Sequence, residues 1–321
     1  MQRTLRSAGD LAGAGLIPRE SVPAIDEVAQ RYSISVTPLV ARLIAEHGAP
    51  LARQYLPEAE ELTTAPHELD DPTADAPFTP LKGVVHRYPD RALLKPLLAC
   101  PVYCRFCFRR EAVGPDGGLL SEAELEAALD WFARTPQLRE AILTGGDPLM
   151  LSPRRLAHIL TRLAALPHLE VLRIHSRVPV ADPARIDAAM LQALTLERPL
   201  YLCVHANHAS EFSDESAVAL RALHGAGVVL LGQSVLLRGV NDSESALTDL
   251  FRAMLRNRVK PYYLHQLDPA PGTARFHVPV EEGLALLRGM RGRVTGLAWP
   301  TYVQERPAGG GKFPLGMEAM R

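Results

Sequence analysis

The chain has 321 residues, a formal net charge of −1, 47% apolar and 22% charged residues, and four cysteines. That length can bury a core of ordinary size, whereas the near-zero charge excludes a general nucleic-acid binder, which carries a basic surplus. Four cysteines are too few for a disulfide scaffold, and no apolar run reaches the roughly 18–20 residues that span a bilayer. The N-terminal run Met1-Gln-Arg-Thr-Leu-Arg has no long apolar core of the secretory kind, so a cytoplasmic, reducing location with no membrane partner is expected.

Residues 1–80 read as an N-terminal helical extension and linker. Ser21 opens one helix, and Thr37 with Pro38 opens another as an N-cap/N1 pair. Glu58 to Pro80, rich in Pro and Asp, reads as the linker. From about residue 90, apolar strand-like runs appear near 92–99, 140–144, 170–175, 199–205, 228–233 and 260–265. Helical patterns lie between them: one opened by the Ser121/Glu124 capping box, and others near 153–165, 182–194, 213–224 and 243–256. Repeated strand–helix–strand units predict an α/β fold with a parallel sheet and right-handed crossovers. A full or partial barrel places its chemistry at the C-terminal strand ends, and every motif below falls at such an end.

Cys100, Cys104 and Cys107 follow the first of these strands in C-x3-C-x2-C spacing. Three thiolates on one loop can hold three corners of an iron–sulfur cluster and leave the fourth iron open. A structural zinc site is the competing reading, although zinc normally takes four closed ligands. Cys203, inside an apolar strand, reads as a buried small hydrophobe.

This triad, with an aromatic residue before its last cysteine, resembles the radical S-adenosylmethionine superfamily. The resemblance implies a [4Fe–4S] cluster on Cys100, Cys104 and Cys107, with S-adenosylmethionine chelating the open iron and yielding a 5′-deoxyadenosyl radical. Thr144-Gly145-Gly146-Asp147-Pro148 follows the next strand. By itself it reads as a turn; one βα unit after the triad, Gly145, Gly146 and Asp147 match the superfamily motif that holds the methionine amino group.

Pro307-Ala-Gly309-Gly310-Gly311-Lys312 ends the chain's motifs. Of 35 basic residues only Lys82, Lys95, Lys260 and Lys312 are lysine, which makes a lysine closing a glycine loop easier to single out. It reads either as a flexible loop with a solvated lysine or as a Schiff-base lysine for pyridoxal 5′-phosphate. Arg87 and Arg91, in His86-Arg-Tyr-Pro-Asp-Arg91, have the forked donors that hold a phosphate.

Taken together, these motifs resemble the lysine 2,3-aminomutase family over roughly residues 80–315. The expected fold is a partial (βα)6-type barrel over 81–270, followed by a C-terminal segment, 271–321, that carries the pyridoxal phosphate lysine. The resemblance implies that Arg87, Tyr88 and Arg91 contact the cofactor, that Lys312 binds it covalently, and that His205 and Gln233 lie near S-adenosylmethionine. Arg109 is implied to pair with the substrate carboxylate, and Asp268 and Glu305 to hold a substrate side-chain ammonium. The implied reaction is an isomerisation that moves an amino group from C2 to C3 of L-lysine or a close analogue.

Glu305 is one methylene longer than the family's aspartate, and Arg306 beside it can neutralise it. Ser243 stands where a zinc cysteine of the longer members falls, so no structural zinc is expected. The length resembles the branch that supplies β-lysine for elongation factor P, and another amino acid such as glutamate is a further alternative. A non-catalytic iron–sulfur protein is the outlying reading. An electron donor such as flavodoxin or ferredoxin and a homo-oligomer complete the expected partners.

Overall fold

The computed structural model describes residues 3–114, 117–306 and 311–316. The glycine loop from Pro307 to Gly310 and the last five positions of the 271–321 segment lie outside the described residues. Nine strands among those described form one sheet whose spatial order is the order of the chain. They are β1 Val84–Tyr88, β2 Arg91–Leu97, β3 Glu140–Gly145, β4 Val171–Ser176, β5 Leu200–His205, β6 Val229–Val235, β7 Lys260–His265, β8 Thr301–Arg306 and β9 Gly311–Pro314. Strands β2 to β8 pair in parallel, each with the next, and β1 and β9 add antiparallel edges.

The sheet curls into a nearly closed α/β barrel because its alternate faces differ in chemistry. In β4, Leu172 and Ile174 are buried in the layer shared with the outer helices, whereas Arg173 and His175 face the interior. The covering helices α5 Glu122–Ala133, α6 Pro153–Ala164, α9 Asp214–Gly225 and α10 Glu244–Arg256 follow the predicted spans closely. The Ser121 and Glu124 side chains cap α5 reciprocally, and Ser243 caps α10 by accepting from Ala246 N.

The six parallel strands read from sequence are present; β1, β8, β9 and helix α11 (Val280–Met290) were not legible. Each of those strands is short or carries polar residues inward, so no apolar run marks it. The single helix read near 182–194 is shorter: Val178–Ala181 (α7) precedes that span, Pro183–Arg185 forms a 3-10 turn, and Ala188–Leu194 (α8) starts where Asp187 accepts from Met190 N.

Helices α1 Ala8–Gly13, α2 Val22–Arg31, α3 Pro38–His47 and α4 Ala49–Tyr55 build a second apolar cluster, which also takes in Val102 and Ala181. Thr37 caps α3 as read. Ser21 precedes α2 but makes no side-chain cap bond. Glu58 to Pro80, read from composition as a linker, is tied down by its carboxylates. Glu68 accepts from the backbone N–H groups of Gly272, Thr273 and Ala274. Glu61 is fully buried and pairs with Arg105, Arg110 and Arg275. Burial opposes its ionisation, but the three guanidinium groups outweigh that and hold its carboxyl below the ordinary range.

A carboxylate removed from such a cluster leaves buried cations without a partner. Glu61→Gln is therefore expected to cost about 3–5 kcal/mol, read as a lower denaturant midpoint at unchanged slope.

Candidate active site

The cysteine loop leaves β2 and is held from outside the barrel. Arg105 N donates to Gln54 O at 2.8 Å, and Ser35 Oγ donates to Pro101 O at 2.7 Å. Arg105 and Arg110, on the loop itself, are the Glu61 partners. The N-terminal helices thus set the position of Cys100, Cys104 and Cys107, which all line one cavity of about 230 Å³. Burial, reinforced by the neighbouring thiols, pushes the Cys104 thiol up to about 11 and that of Cys100 well above its ordinary value. A cationic cluster reverses that preference and draws thiolates, so the donor set fits iron. Among the described residues no three His, Cys, Asp or Glu side chains converge on a single metal ion. A cubane cluster does not require it, because each thiolate binds a different iron.

Gly145 and Gly146 end β3 against the start of that loop. Gly146 N donates to Leu97 O at 2.8 Å and Asp147 N to Ala99 O at 2.9 Å. A Cβ on Gly146 would lie 2.3 Å from Ala99 O, so only glycine permits this approach. The Asp147 carboxylate accepts from Ser176 Oγ at 2.8 Å, Arg177 N at 2.7 Å, Val178 N at 3.2 Å and Leu149 N at 3.1 Å. It ties the end of β3 to the end of β4, and its acceptors are engaged by the protein itself.

Further round the barrel, polar side chains line the lumen at the strand ends. His205 (β5) is in register with Gln233 (β6), and Gln233 with Tyr263 (β7). His175 on β4 lies edge-on to His205, with ring centroids 5.4 Å apart. The Nε2 atoms of His175, His205 and His265 and Oε1 of Gln233 are buried and, among the described residues, have no hydrogen-bond partner. Burial keeps all three imidazoles neutral, with His205 lowered to about 3. Unpaired polar atoms of this kind, aimed into a cavity, fit a polar ligand. Sequence reasoning singled out His205 and Gln233 and missed His175 and His265. The available signal was a histidine closing an otherwise apolar strand run.

A second cavity of about 340 Å³ adjoins the first, and Arg109, His175, Gln233, Glu305 and Lys312 line both. Lys312 (β9) donates from Nζ to Glu305 Oε2 at 2.8 Å, and its backbone N donates to the Tyr88 hydroxyl at 2.8 Å. Gly311 has φ +64°, and a Cβ there would meet the Tyr88 ring, so the last glycine of the loop is set by packing against Tyr88. Arg87 pairs with the other Glu305 oxygen. Arg91 stacks over Tyr88, 3.7 Å from the ring centroid, and pairs with Asp90. Glu305 is thus neutralised by Arg87 and Lys312. Arg306 instead lies over the Phe313 ring.

Asp268 lines the cysteine-side cavity and, among the described residues, has no side-chain ion pair. Burial raises its carboxyl to about 7 against the pull of Lys312. Arg109 donates to Asp75 at 3.1 Å. Asp75, invisible as a site residue in the sequence, also meets Arg87 and Lys95 at 3.5 Å each.

Residues 94–251 match the model of the radical SAM superfamily. The chain is 37% identical over 301 residues to the L-lysine 2,3-aminomutase of Clostridium subterminale, covering 93% of this chain and 72% of that protein. The chain belongs to the lysine 2,3-aminomutase family of radical S-adenosylmethionine enzymes. It is 34% identical over 293 residues to the glutamate 2,3-aminomutase of Clostridioides difficile, covering 91% of this chain and 69% of that protein. The crystal structure of Streptococcus suis SuiB shares the fold, with a TM-score of 0.50 at 11% identity over 68% of this chain and 50% of that chain.

As a radical aminomutase the protein is an isomerase, and its family's cofactors are a [4Fe–4S] cluster, S-adenosylmethionine and pyridoxal phosphate. Among the described residues no helix is long and apolar enough to cross a membrane.

The Gly146 contact has a direct consequence. Overpacking a core costs about 1–3 kcal/mol, and here the obstacle is the backbone of Leu98 and Ala99. Gly146→Ala is expected at or above that range, seen as a lower thermal midpoint together with reduced iron content.

Proposed function

We propose that this radical aminomutase moves the amino group of L-lysine or a close analogue from C2 to C3, with Lys312 as the residue that binds pyridoxal phosphate. The observation that carries the reading is the placement of Lys312. Its ammonium faces a cavity that also holds Arg87, Tyr88, Arg91 and Arg109, and it adjoins the cavity lined by the three cysteines.

When bound, the cluster and S-adenosylmethionine supply a radical able to take hydrogen from an unactivated C–H bond, and pyridoxal phosphate supplies a ring over which an unpaired electron spreads. The chain's own residues do the rest. Cys100, Cys104 and Cys107 would hold the cluster, and Gly145 and Gly146, braced by Asp147, would bring backbone to S-adenosylmethionine. His205 and Gln233 offer it neutral hydrogen-bonding groups. Glu305, at 2.8 Å, accepts a proton from Lys312 Nζ when that amine becomes a nucleophile. Arg87 and Arg91 direct guanidinium donors at the phosphate, with the Tyr88 ring beneath Arg91. Arg109 pairs with the amino acid's carboxylate.

Asp268 is the carboxylate available to a cationic side chain, since Glu305 already serves Arg87 and Lys312. That same neutralisation, with Lys95 close by Arg109, favours an acidic amino acid as the second reading. An electron donor of the flavodoxin or ferredoxin kind supplies the reductant, and the enzyme acts as a homo-oligomer or a single chain.

Borohydride treatment of the protein loaded with pyridoxal phosphate is expected to leave a pyridoxyl group on Lys312, read by mass spectrometry, and none in Lys312→Ala. Modification of another lysine overturns the assignment. Reduced enzyme with S-adenosylmethionine is then offered a panel of amino acids: a β-amino product from lysine supports the first reading, and one from glutamate the second.

The Asp268 carboxyl gives a pH signature. Only its ionised form pairs with an ammonium, and that form grows as pH rises through about 7. The KM for lysine is expected to fall by about tenfold between pH 6 and 8. Asp268→Asn raises KM and flattens that dependence.

A further inference from the structure

Asp75 stands where two arginines of the proposed site meet. Its Oδ2 accepts from Arg109 at 3.1 Å and lies 3.5 Å from Lys95 Nζ, and its Oδ1 lies 3.5 Å from Arg87. Nothing in the established chemistry of the site uses this residue. It borders both the cavity that holds Lys312 and a further space of about 410 Å³ bounded by Asp70, Lys82, Lys95 and the cysteine loop.

The segment is built to hold that carboxylate still. Both Asp71 carboxylate oxygens accept from the next turn, from Asp75 N and Ala76 N at 2.9 Å each. Ala74, immediately before Asp75, has φ +49°, a left-handed conformation that a non-glycine residue adopts only when its surroundings impose it. Burial alone raises the Asp75 carboxyl, and Arg109, Lys95 and Arg87 more than reverse this, so it stays ionised. Burial and then the charge of Arg109 lower Lys95, and Asp75, which contacts both, opposes that shift.

The contacts leave the arginines incomplete in a specific way. Asp75 takes an NH2 group of each, and among the described residues Nε of Arg87 and of Arg109 is buried without a hydrogen-bond partner. Both arginines line the same cavity as Lys312.

We infer that Asp75 is a positioning residue: it holds Arg87, Lys95 and Arg109 as one unit, so that the free guanidinium edges meet the anionic groups of cofactor and substrate. The inference rests on the proposed roles of Arg87 and Arg109. Without Asp75 the three like charges separate, and each arginine meets its ligand through a floppier, misdirected fork. Simple field arithmetic runs the other way, because removing a negative charge strengthens attraction for any anion. The opposed signs make the inference testable.

Three full-length proteins are compared: wild type, Asp75→Asn and Asp75→Glu. Pyridoxal phosphate affinity is read by absorbance titration. KM and kcat are measured anaerobically for whichever amino acid of the panel turns over. Asp75→Asn is expected to weaken pyridoxal phosphate binding about fivefold and to raise KM about tenfold while kcat changes less than KM. Asp75→Glu, which keeps the charge, is expected to recover at least half of each loss. Tighter binding by Asp75→Asn overturns the inference, because Asp75 is then a stand-in that competes with ligand anions. Unchanged binding overturns it as well. If wild type binds pyridoxal phosphate yet turns over no amino acid, the substrate reading fails, and Asp75 is judged on the cofactor titration alone.

Discussion

The Glu305 carboxylate is the interaction on which the site depends. The sheet runs from β1 to β9 in chain order, and among the described residues its two edges are not joined by backbone pairing. They meet through side chains instead: Arg87 of β1 pairs with Glu305 of β8, Glu305 accepts from Lys312 of β9, and Tyr88 of β1 accepts from the Lys312 backbone. A cation on each edge is held to one buried carboxylate between them. The groups that close the barrel are therefore the groups proposed to bind the cofactor, and loss of charge at Glu305 acts on fold and chemistry together.

A second constraint comes from outside the barrel. The cysteine loop buries Val102 against the N-terminal helices and Phe106 beside Phe276, and Glu61 holds its arginines, so its conformation is imposed from outside the barrel. The 58–80 segment supplies, in succession, Glu61 to the cysteine loop, Glu68 to the 272–274 backbone and Asp75 to Arg109. Three carboxylates on one irregular stretch thus connect the cluster side of the site to the cofactor side. Such a stretch has only short 3-10 turns, at Ala59–Leu62 and Ala76–Phe78, and carboxylate contacts add what a longer helix or strand obtains from its backbone.

The lumen departs from the apolar layers that fill most barrels of this kind. His175, His205, Gln233 and His265 place uncharged polar atoms around it, with Arg109, Arg173 and Lys312 as the cations. Neutral imidazoles solvate a ligand without adding charge. This leaves the arginines and the lysine to select anionic groups, while burial raises the Asp268 carboxyl to about 7.

The sequence by itself determined the α/β pattern, six parallel strands, the capping of α3 and α5, the cysteine triad, the glycine pair and the prominence of Lys312. These are local signals: apolar runs, cap residues and short motifs whose spacing carries meaning without the rest of the chain. Tertiary structure alone decided the short edge strands, the closing of the seam by Glu305, the structural engagement of Asp147 and the convergence of Arg87, Lys95 and Arg109 on Asp75. Residues 75, 109 and 305 lie far apart in the chain, and one carboxylate among many in a Pro- and Asp-rich stretch carries no mark of its partners. Burial and proximity set what each charge does, and both arise only once the sheet has curled and brought its ends together.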